Sequence, residues 1–167
     1  MSPARFEAVA AEVWVPLQRY LLRRTDAATA DDVLGDVLLV MWRRRLDIPD
    51  DAALPWCYAV ARGCLANARR GDDRRLRLVH RLQAEPAPAT DGADPDLDEA
   101  LARLPDRDRE LLRLWAWEGL APREIAVVLA ITPNAASIRL HRAKEALRKD
   151  LTAAGHKGSR QGEEAPA

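Results

Sequence analysis

A run of hydrogen-bonding and cationic side chains in the last third of the chain carries its most specific chemistry. At a helical repeat these side chains face outward, while the small and aliphatic residues between them face inward. Amide, hydroxyl and guanidinium groups presented in this way can bind the base edges and phosphates of duplex DNA. The predicted DNA-binding residues are Thr132, Asn134, Ser137, Arg139, His141 and Arg142.

The surrounding residues predict a helix-turn-helix over residues 119–149 that positions this run. Pro122 suits the first position of a short helix, while Thr132 suits the N-cap of the next helix, with Pro133 behind it. Such a second helix is shaped to enter a major groove, and the alternative is an amphipathic helix whose polar face is only solvated. The residues expected to pack inward are Ile125, Ala126, Leu129, Ala136, Leu140, Ala143 and Leu147.

The charge of the chain is strongly patterned although its net value is zero. Residues 62–81 are rich in arginine, and residues 139–149 are also basic. Between them, residues 83–100 contain acids but neither lysine nor arginine. Two basic blocks separated by an acidic one are compatible with nucleic-acid binding, although the zero net charge conceals this pattern.

Other functional classes have little support in the sequence. It contains neither a glycine-rich phosphate loop nor a nucleophile–base arrangement, so we expect no enzyme activity and no cofactor. Cys57 and Cys64 are too far apart along a helix for a disulfide, and no histidine lies beside them, so we expect buried thiols rather than a metal site. No apolar run approaches the roughly 20 residues that span a bilayer, and the N-terminus lacks a signal peptide. We therefore expect a cytoplasmic protein without membrane contact.

Helical periodicity dominates the chain and strand signals are nearly lacking, which predicts an all-α protein. We expect two small helical domains joined by a flexible acidic linker, with the helix-turn-helix in the C-terminal domain. The predicted segments are a first domain over 1–82, a linker over 83–96, a second domain over 97–151 and a disordered tail over 152–167.

Within the first domain, Thr29 to Asp32 resembles a capping box that opens the second helix. Residues 46–55 are expected to form a loop because of their proline and aspartate content. A long third helix is expected from about Trp56 to about His80. We expect Trp42 in the core.

Two groups of motifs, in this order, resemble the extracytoplasmic-function (ECF) sigma factors, minimal bacterial initiation factors that contain only regions 2 and 4. The resemblance covers about residues 1–80 and 98–151. The matching region 4 segments are 104–110, 118–121, 124–126 and 139–143, and the matching region 2 segments are 31–33, 42–44, 56–58, 61–62 and 67–70. The chain departs from the family pattern at Gly35, where Gln is usual, at Ala130, where Gly is usual, and at Ser137 and Ile138 on the second helix of the motif.

The resemblance implies that region 4 binds the minus-thirty-five promoter element and that region 2 binds and melts the minus-ten element. In region 2, the loop over 46–55 would capture a base flipped from the non-template strand. Trp56 would either stack on an exposed base or fill the core between the second and third helices. The residues implied in downstream binding and melting are Trp56, Arg62, Asn67, Arg69, Arg70, Arg74 and Arg75.

The resemblance also implies protein partners. RNA polymerase core would bind through the clamp of its largest subunit and the flap of its second-largest subunit, and an anti-sigma protein is a further candidate. The implied clamp contacts are Asp31, Asp32, Asp36 and Leu39. Acids at these positions can also favour the N-terminus of a helix, and both roles are compatible.

Two other functions stay open at this point. The chain can be a helix-turn-helix transcription regulator that binds duplex DNA without joining the polymerase. It can also be an interaction protein that sequesters a partner. The arginine-rich third helix argues against the first of these, because a duplex-binding regulator does not need it.

Overall fold

The computed structural model describes residues 2–79 and 95–160, with side chains for 2–71 and 97–153. Every regular element of these residues is an α-helix, which confirms the predicted all-α class. The helices are α1 (Pro3–Leu22), α2 (Ala27–Arg43), α3 (Ala53–Val79), α4 (Pro95–Arg103), α5 (Asp106–Ala116), α6 (Pro122–Leu129) and α7 (Pro133–Arg160).

The chain divides into two compact units, Met1–Thr90 with Val127–Ala130, and Asp91–Ala126 with Ile131–Ala167. The first contains α1, α2 and α3, which all pack against one another. Most of the predicted linker over 83–96 lies outside the described residues. The predicted tail differs from the structure, because α7 continues past residue 152 to Arg160.

The core of the first unit is apolar and closely shared among its three helices. Leu17 and Tyr20 of α1, Val37 and Met41 of α2, and Cys57 of α3 are fully buried. Pro16 lies inside α1, which nevertheless continues to Leu22. Burial of each side chain of this size stabilises the unit by roughly 1.5–3 kcal/mol. This burial determines which faces of α2 and α3 point outward.

The start of α2 corrects the sequence prediction. Its N-cap is Asp26, whose carboxylate accepts the Thr29 backbone N–H at 2.9 Å and the Thr29 hydroxyl at 2.7 Å. These two bonds hold the pKa of Asp26 below its ordinary value, the backbone bond contributing most. Thr29 therefore lies inside the first turn, and the predicted Thr29 to Asp32 capping box is wrong because an acid three residues earlier caps the helix.

The second unit is tied together at the junction of α4 and α5 by one arginine. The Arg109 Nε donates to the Leu101 carbonyl at 2.9 Å, and its Nη2 donates to those of Ala102 at 3.0 Å and Leu104 at 2.9 Å. The last carbonyls of a helix have no partner within it, so this guanidinium satisfies the end of α4. α7 packs against α4 and α5.

Candidate nucleic-acid interface

The outward face of α7 is the first part of the candidate site. The Thr132 hydroxyl accepts the Ala135 backbone N–H at 3.2 Å and caps α7, and Pro133 is its first residue, as predicted. All six predicted DNA-binding residues are exposed: Thr132, Asn134, Ser137, Arg139, His141 and Arg142. On α7, Asn134, Ser137, His141 and Arg142 share one face at helical spacing, whereas Arg139 lies at the edge of that face and Thr132 precedes the helix as its N-cap.

The opposite side of α7 fixes this orientation. Ala136, Leu140 and Ala143 are buried, as predicted, and Leu147 is half-buried. Lys144 lies at the margin of the face, with its Nζ 3.4 Å from the centre of the Trp115 ring of α5. Packing and this cation–π contact together prevent α7 from rotating about its axis.

The turn between α6 and α7 has a strained backbone. Ala130 has a φ of +52°, in the left-handed region that favours glycine, and the Ile131 N–H donates to the Ala126 carbonyl at 3.0 Å. At the start of α6, the Glu124 carboxylate accepts the Ala121 N–H at 2.7 Å, and Pro122 is the first helical residue, as predicted. The start of α6 and the turn that follows it are therefore fixed by defined contacts. Ile125 and Ala126 are buried, whereas Leu129 is half-buried.

The outward side chains of α7 differ in the groups that they can offer to a partner. The Ser137 hydroxyl donates to the Pro133 carbonyl at 3.1 Å, so it faces outward only as an acceptor. Arg139 forms no ion pair with any side chain in the described part of the chain, which argues against a role within the unit. Ile138 was missed by the sequence prediction, although it is 44% exposed between Asn134 and Arg142. Its helical spacing from these two residues was the available signal.

The arginine-rich helix α3 forms the second part of the candidate site. Arg62, Asn67, Arg69 and Arg70 are all exposed on it. Arg70 donates to the Asn67 side-chain carbonyl, so these two act as a pair. The Arg69 Nη2 donates to the Arg24 backbone carbonyl at 2.9 Å and ties α3 to the α1–α2 turn. The side chains of Arg74 and Arg75, also predicted here, lie outside the described residues.

The connection between α2 and α3 is a folded loop with a cavity. It is shorter than predicted, because α3 already begins at Ala53 and Pro55 falls in its first turn, where a missing N–H costs nothing. Arg44 pairs with Asp47 at 3.0 Å, and Arg5 of α1 pairs with Asp50. The cavity of about 380 Å³ is lined by Arg5, Arg45, Leu46, Asp47, Ile48, Pro49 and Asp50.

Aromatic and apolar side chains surround this loop. Trp56 is half-buried, with the Arg44 guanidinium 5.3 Å from its ring centre. Trp42 is 42% exposed, which corrects its predicted core position. It contacts Phe6 edge-to-face at 5.0 Å, and Arg45 lies 4.8 Å from its ring centre. The helical repeat alone could not place Trp42, because α2 ends one residue later, at Arg43.

An acidic face on α2 forms the third part. Asp31, Asp32, Asp36 and Leu39 are all exposed there, and Leu39 is 46% exposed. The first turn of α2 contains no acid, so these carboxylates lie beyond the reach of a favourable helix-terminus interaction. Asp26 supplies that interaction instead. Stabilisation of the helix N-terminus therefore does not explain the three acids.

Burial raises the pKa of both cysteine thiols, of which Cys57 is buried and Cys64 is half-buried. Burial raises the pKa of the Cys57 thiol to about 12, and its sulfur lies 3.8 Å from that of Met41. The pKa of Cys64 is raised by burial and, to a smaller extent, by the Asp36 carboxylate. Within the described residues no group of side chains is arranged to hold a metal ion. No helix among those described has the length and apolarity needed to cross a membrane.

Comparison with known proteins shows similarity to one protein family and to named sigma factors. The family Sigma-70, region 4, matches residues 95–147. The ECF RNA polymerase sigma factor SigL of Mycobacterium tuberculosis is 33% identical over 162 residues, which cover 91% of this chain and 89% of SigL. The RNA polymerase sigma factor CarQ of Myxococcus xanthus is 34% identical over 147 residues, covering 81% and 82% of the two chains.

Solved structures share the fold at low sequence identity. The sigma factor RpoE, in its complex with the anti-sigma factor NepR from Bartonella quintana, superposes with a TM-score of 0.65 at 19% identity. That similarity covers 89% of this chain and 97% of RpoE. CnrH, in complex with the cytosolic domain of CnrY, gives a TM-score of 0.60 at 20% identity, with 91% and 90% covered.

Proposed function

The chain belongs to the extracytoplasmic-function RNA polymerase sigma factors, and we propose that it directs RNA polymerase core to promoters and initiates transcription there. The observation that carries this proposal is the extent of the similarity, which covers 91% of the chain and therefore residues of both helical units. A regulator that binds duplex DNA on its own needs only the helix-turn-helix. The family membership and the acidic face of α2 favour a polymerase subunit.

The second unit is proposed to bind the upstream, minus-thirty-five element. The outward face of α7 offers an amide at Asn134 and guanidinium groups at Arg139 and Arg142. Amides pair with adenine, and guanidinium groups pair with guanine or neutralise phosphates. The buried face of the same helix holds these groups at fixed positions.

The first unit is proposed to bind and melt the downstream, minus-ten element. Arg62 and Arg70 of α3 supply exposed positive charge for a single strand, and Trp56 supplies a half-exposed ring. Base flipping costs a few kcal/mol, and a cavity and stacking contacts can offset it. The cavity beside Leu46, which is 76% exposed, is a candidate receptor for the flipped base.

The acidic face of α2 is proposed to dock on the clamp of the polymerase largest subunit, and the second unit on the flap of the second-largest subunit. The three exposed carboxylates and Leu39 on α2 offer negative charge and an apolar side chain, which would complement a basic partner surface. The polymerase supplies the chemistry of transcription, and this chain supplies recognition. It would act in the cytoplasm, where the polymerase acts, and an anti-sigma protein is a further proposed partner.

Runoff transcription with polymerase core on genomic fragments tests the function. We expect defined transcripts only when core and this chain are both present. Specific and equally tight binding of promoter duplex by the chain without core would favour the regulator. Retention of core without any transcript would favour the sequestering protein.

Pull-down of core by the tagged full-length chain tests the docking surface. The triple substitution Asp31→Asn, Asp32→Asn and Asp36→Asn should abolish retention of core at physiological salt. The matched control, Glu7→Gln with Glu12→Gln, removes exposed acids from α1 and should retain core normally. Equal retention by both variants would contradict the assignment of this face.

A further inference from the structure

One large apolar side chain is exposed in the middle of the polar face of α7. Ile138 is 44% exposed, four residues after Asn134 and four residues before Arg142, so the three form one row along the helix. Ile138 does not serve the core, which is formed by Ala136 and Leu140 on the other side. A β-branched residue is also a poorer helix former than alanine or lysine. Helix stability therefore does not account for it.

The residue beside Ile138 has already used its hydrogen-bond donor. The Ser137 hydroxyl donates to the Pro133 carbonyl at 3.1 Å, so it offers no donor to a base. In the first two turns of α7, Asn134 therefore presents an amide and Ile138 presents an apolar surface. The N-terminal part of a recognition helix is the part that meets base edges.

We propose that Ile138 contacts the C5-methyl group of a thymine in the upstream promoter element and so sets a base preference there. This inference rests on the proposed function, because it assumes that α7 enters the major groove. Thymine is the one base that presents a methyl group in that groove. Isoleucine is stiff about its first side-chain torsion, so it loses little freedom when the methyl group covers it. Asn134, one turn earlier, is placed to pair with an adenine close by in the same element.

Deoxyuridine scanning tests the proposal, because deoxyuridine lacks only the methyl group. Holoenzyme, formed from core and the full chain, first selects an upstream element from randomised duplexes. Each thymine of that element is then replaced in turn by deoxyuridine. A buried methyl group is worth about 0.8 kcal/mol, so we expect binding to weaken about fourfold at one thymine. Ile138→Ala should bind the thymine and deoxyuridine duplexes equally at that position.

Two further variants make the result specific. Ile138→Val keeps a branched apolar side chain and should keep the methyl discrimination. Val15→Ala shortens an exposed aliphatic residue on α1, and it should leave the fourfold difference unchanged. Because Ile138 is exposed, its variants should fold, which circular dichroism checks.

The outcomes separate this inference from the function on which it rests. If holoenzyme selects an element but no thymine is sensitive to loss of its methyl group, the inference is overturned and the proposed function stands. The same holds if the discrimination persists in Ile138→Ala. If holoenzyme selects no upstream element at all, the assignment of α7 to promoter binding fails, and the inference fails with it.

Discussion

Replacing Arg109 by alanine removes the guanidinium that satisfies the carbonyls of Leu101, Ala102 and Leu104 at the end of α4. A hydrogen bond to a charged group contributes about 1.5–3 kcal/mol. The bond to Ala102 is exposed, and water can replace it, whereas the other two are partly buried. Two such bonds would contribute about 3–6 kcal/mol. The Arg109 side chain is 25% exposed, so water replaces part of each bond, and we expect Arg109→Ala to destabilise the second unit by about 2–3 kcal/mol.

Amide hydrogen exchange measures this loss separately in each unit. A loss of about 2–3 kcal/mol should accelerate exchange of the protected amides of α5 roughly 30- to 150-fold, because about 1.4 kcal/mol is a factor of ten. Protected amides around Leu17 and Val37 in the first unit should not change. Arg109→Lys should recover about 1 kcal/mol, because an ammonium group lacks the planar fork that spans several carbonyls.

Arg107→Ala is the matched control. It removes the same side chain from the same helix, two residues earlier, at an exposed position. In Arg107→Ala, the protected amides of α5 should exchange at the same rate as in the unmodified chain. If Arg107→Ala and Arg109→Ala accelerate exchange equally, the junction of α4 and α5 does not depend on this guanidinium and the reasoning is refuted.

Three substitutions that remove or introduce glycine have expected outcomes in urea unfolding, and a fourth, at Cys57, has one in the pH dependence of stability. Gly35→Ala in α2 should stabilise by about 0.5–1 kcal/mol, because a Cβ there meets nothing within 4 Å; a lower urea midpoint would contradict this. Gly119→Ala should destabilise by about 1 kcal/mol, because φ is +68°, and Ala130→Gly should stabilise by about 0.5 kcal/mol, because it relieves the positive φ there. Cys57 should react with a thiol reagent only on unfolding at pH 7–9. The pKa of Cys57 is about 12 in the folded chain, against an ordinary value of 9.0. The contribution of this thiol to stability is therefore complete below pH 9 and is lost between pH 9 and 12. Cys57→Ala should remove that part of the loss of stability at alkaline pH.

Local sequence signals predicted the second unit well for a physical reason. Pro122, Thr132 and Pro133 act within one turn of their own positions, so their residue types suffice to mark where α6 and α7 begin. The inward face of α7 followed from the helical repeat, because one side of a helix must be buried. The start of α2 was misjudged, since two overlapping caps were available and Asp26 formed the better one.

The sequence by itself determined the helical class, the two basic blocks and the family, because residue type, periodicity and motif order are properties of the chain. Only the tertiary structure decided what each side chain does. It exposed Trp42 against Phe6, tied Arg69 to a backbone carbonyl and turned Arg109 toward the end of α4. These contacts join residues that are distant in the chain or lie on different helices. A periodic pattern records which face a residue occupies, but the partner that meets it there depends on how the helices pack.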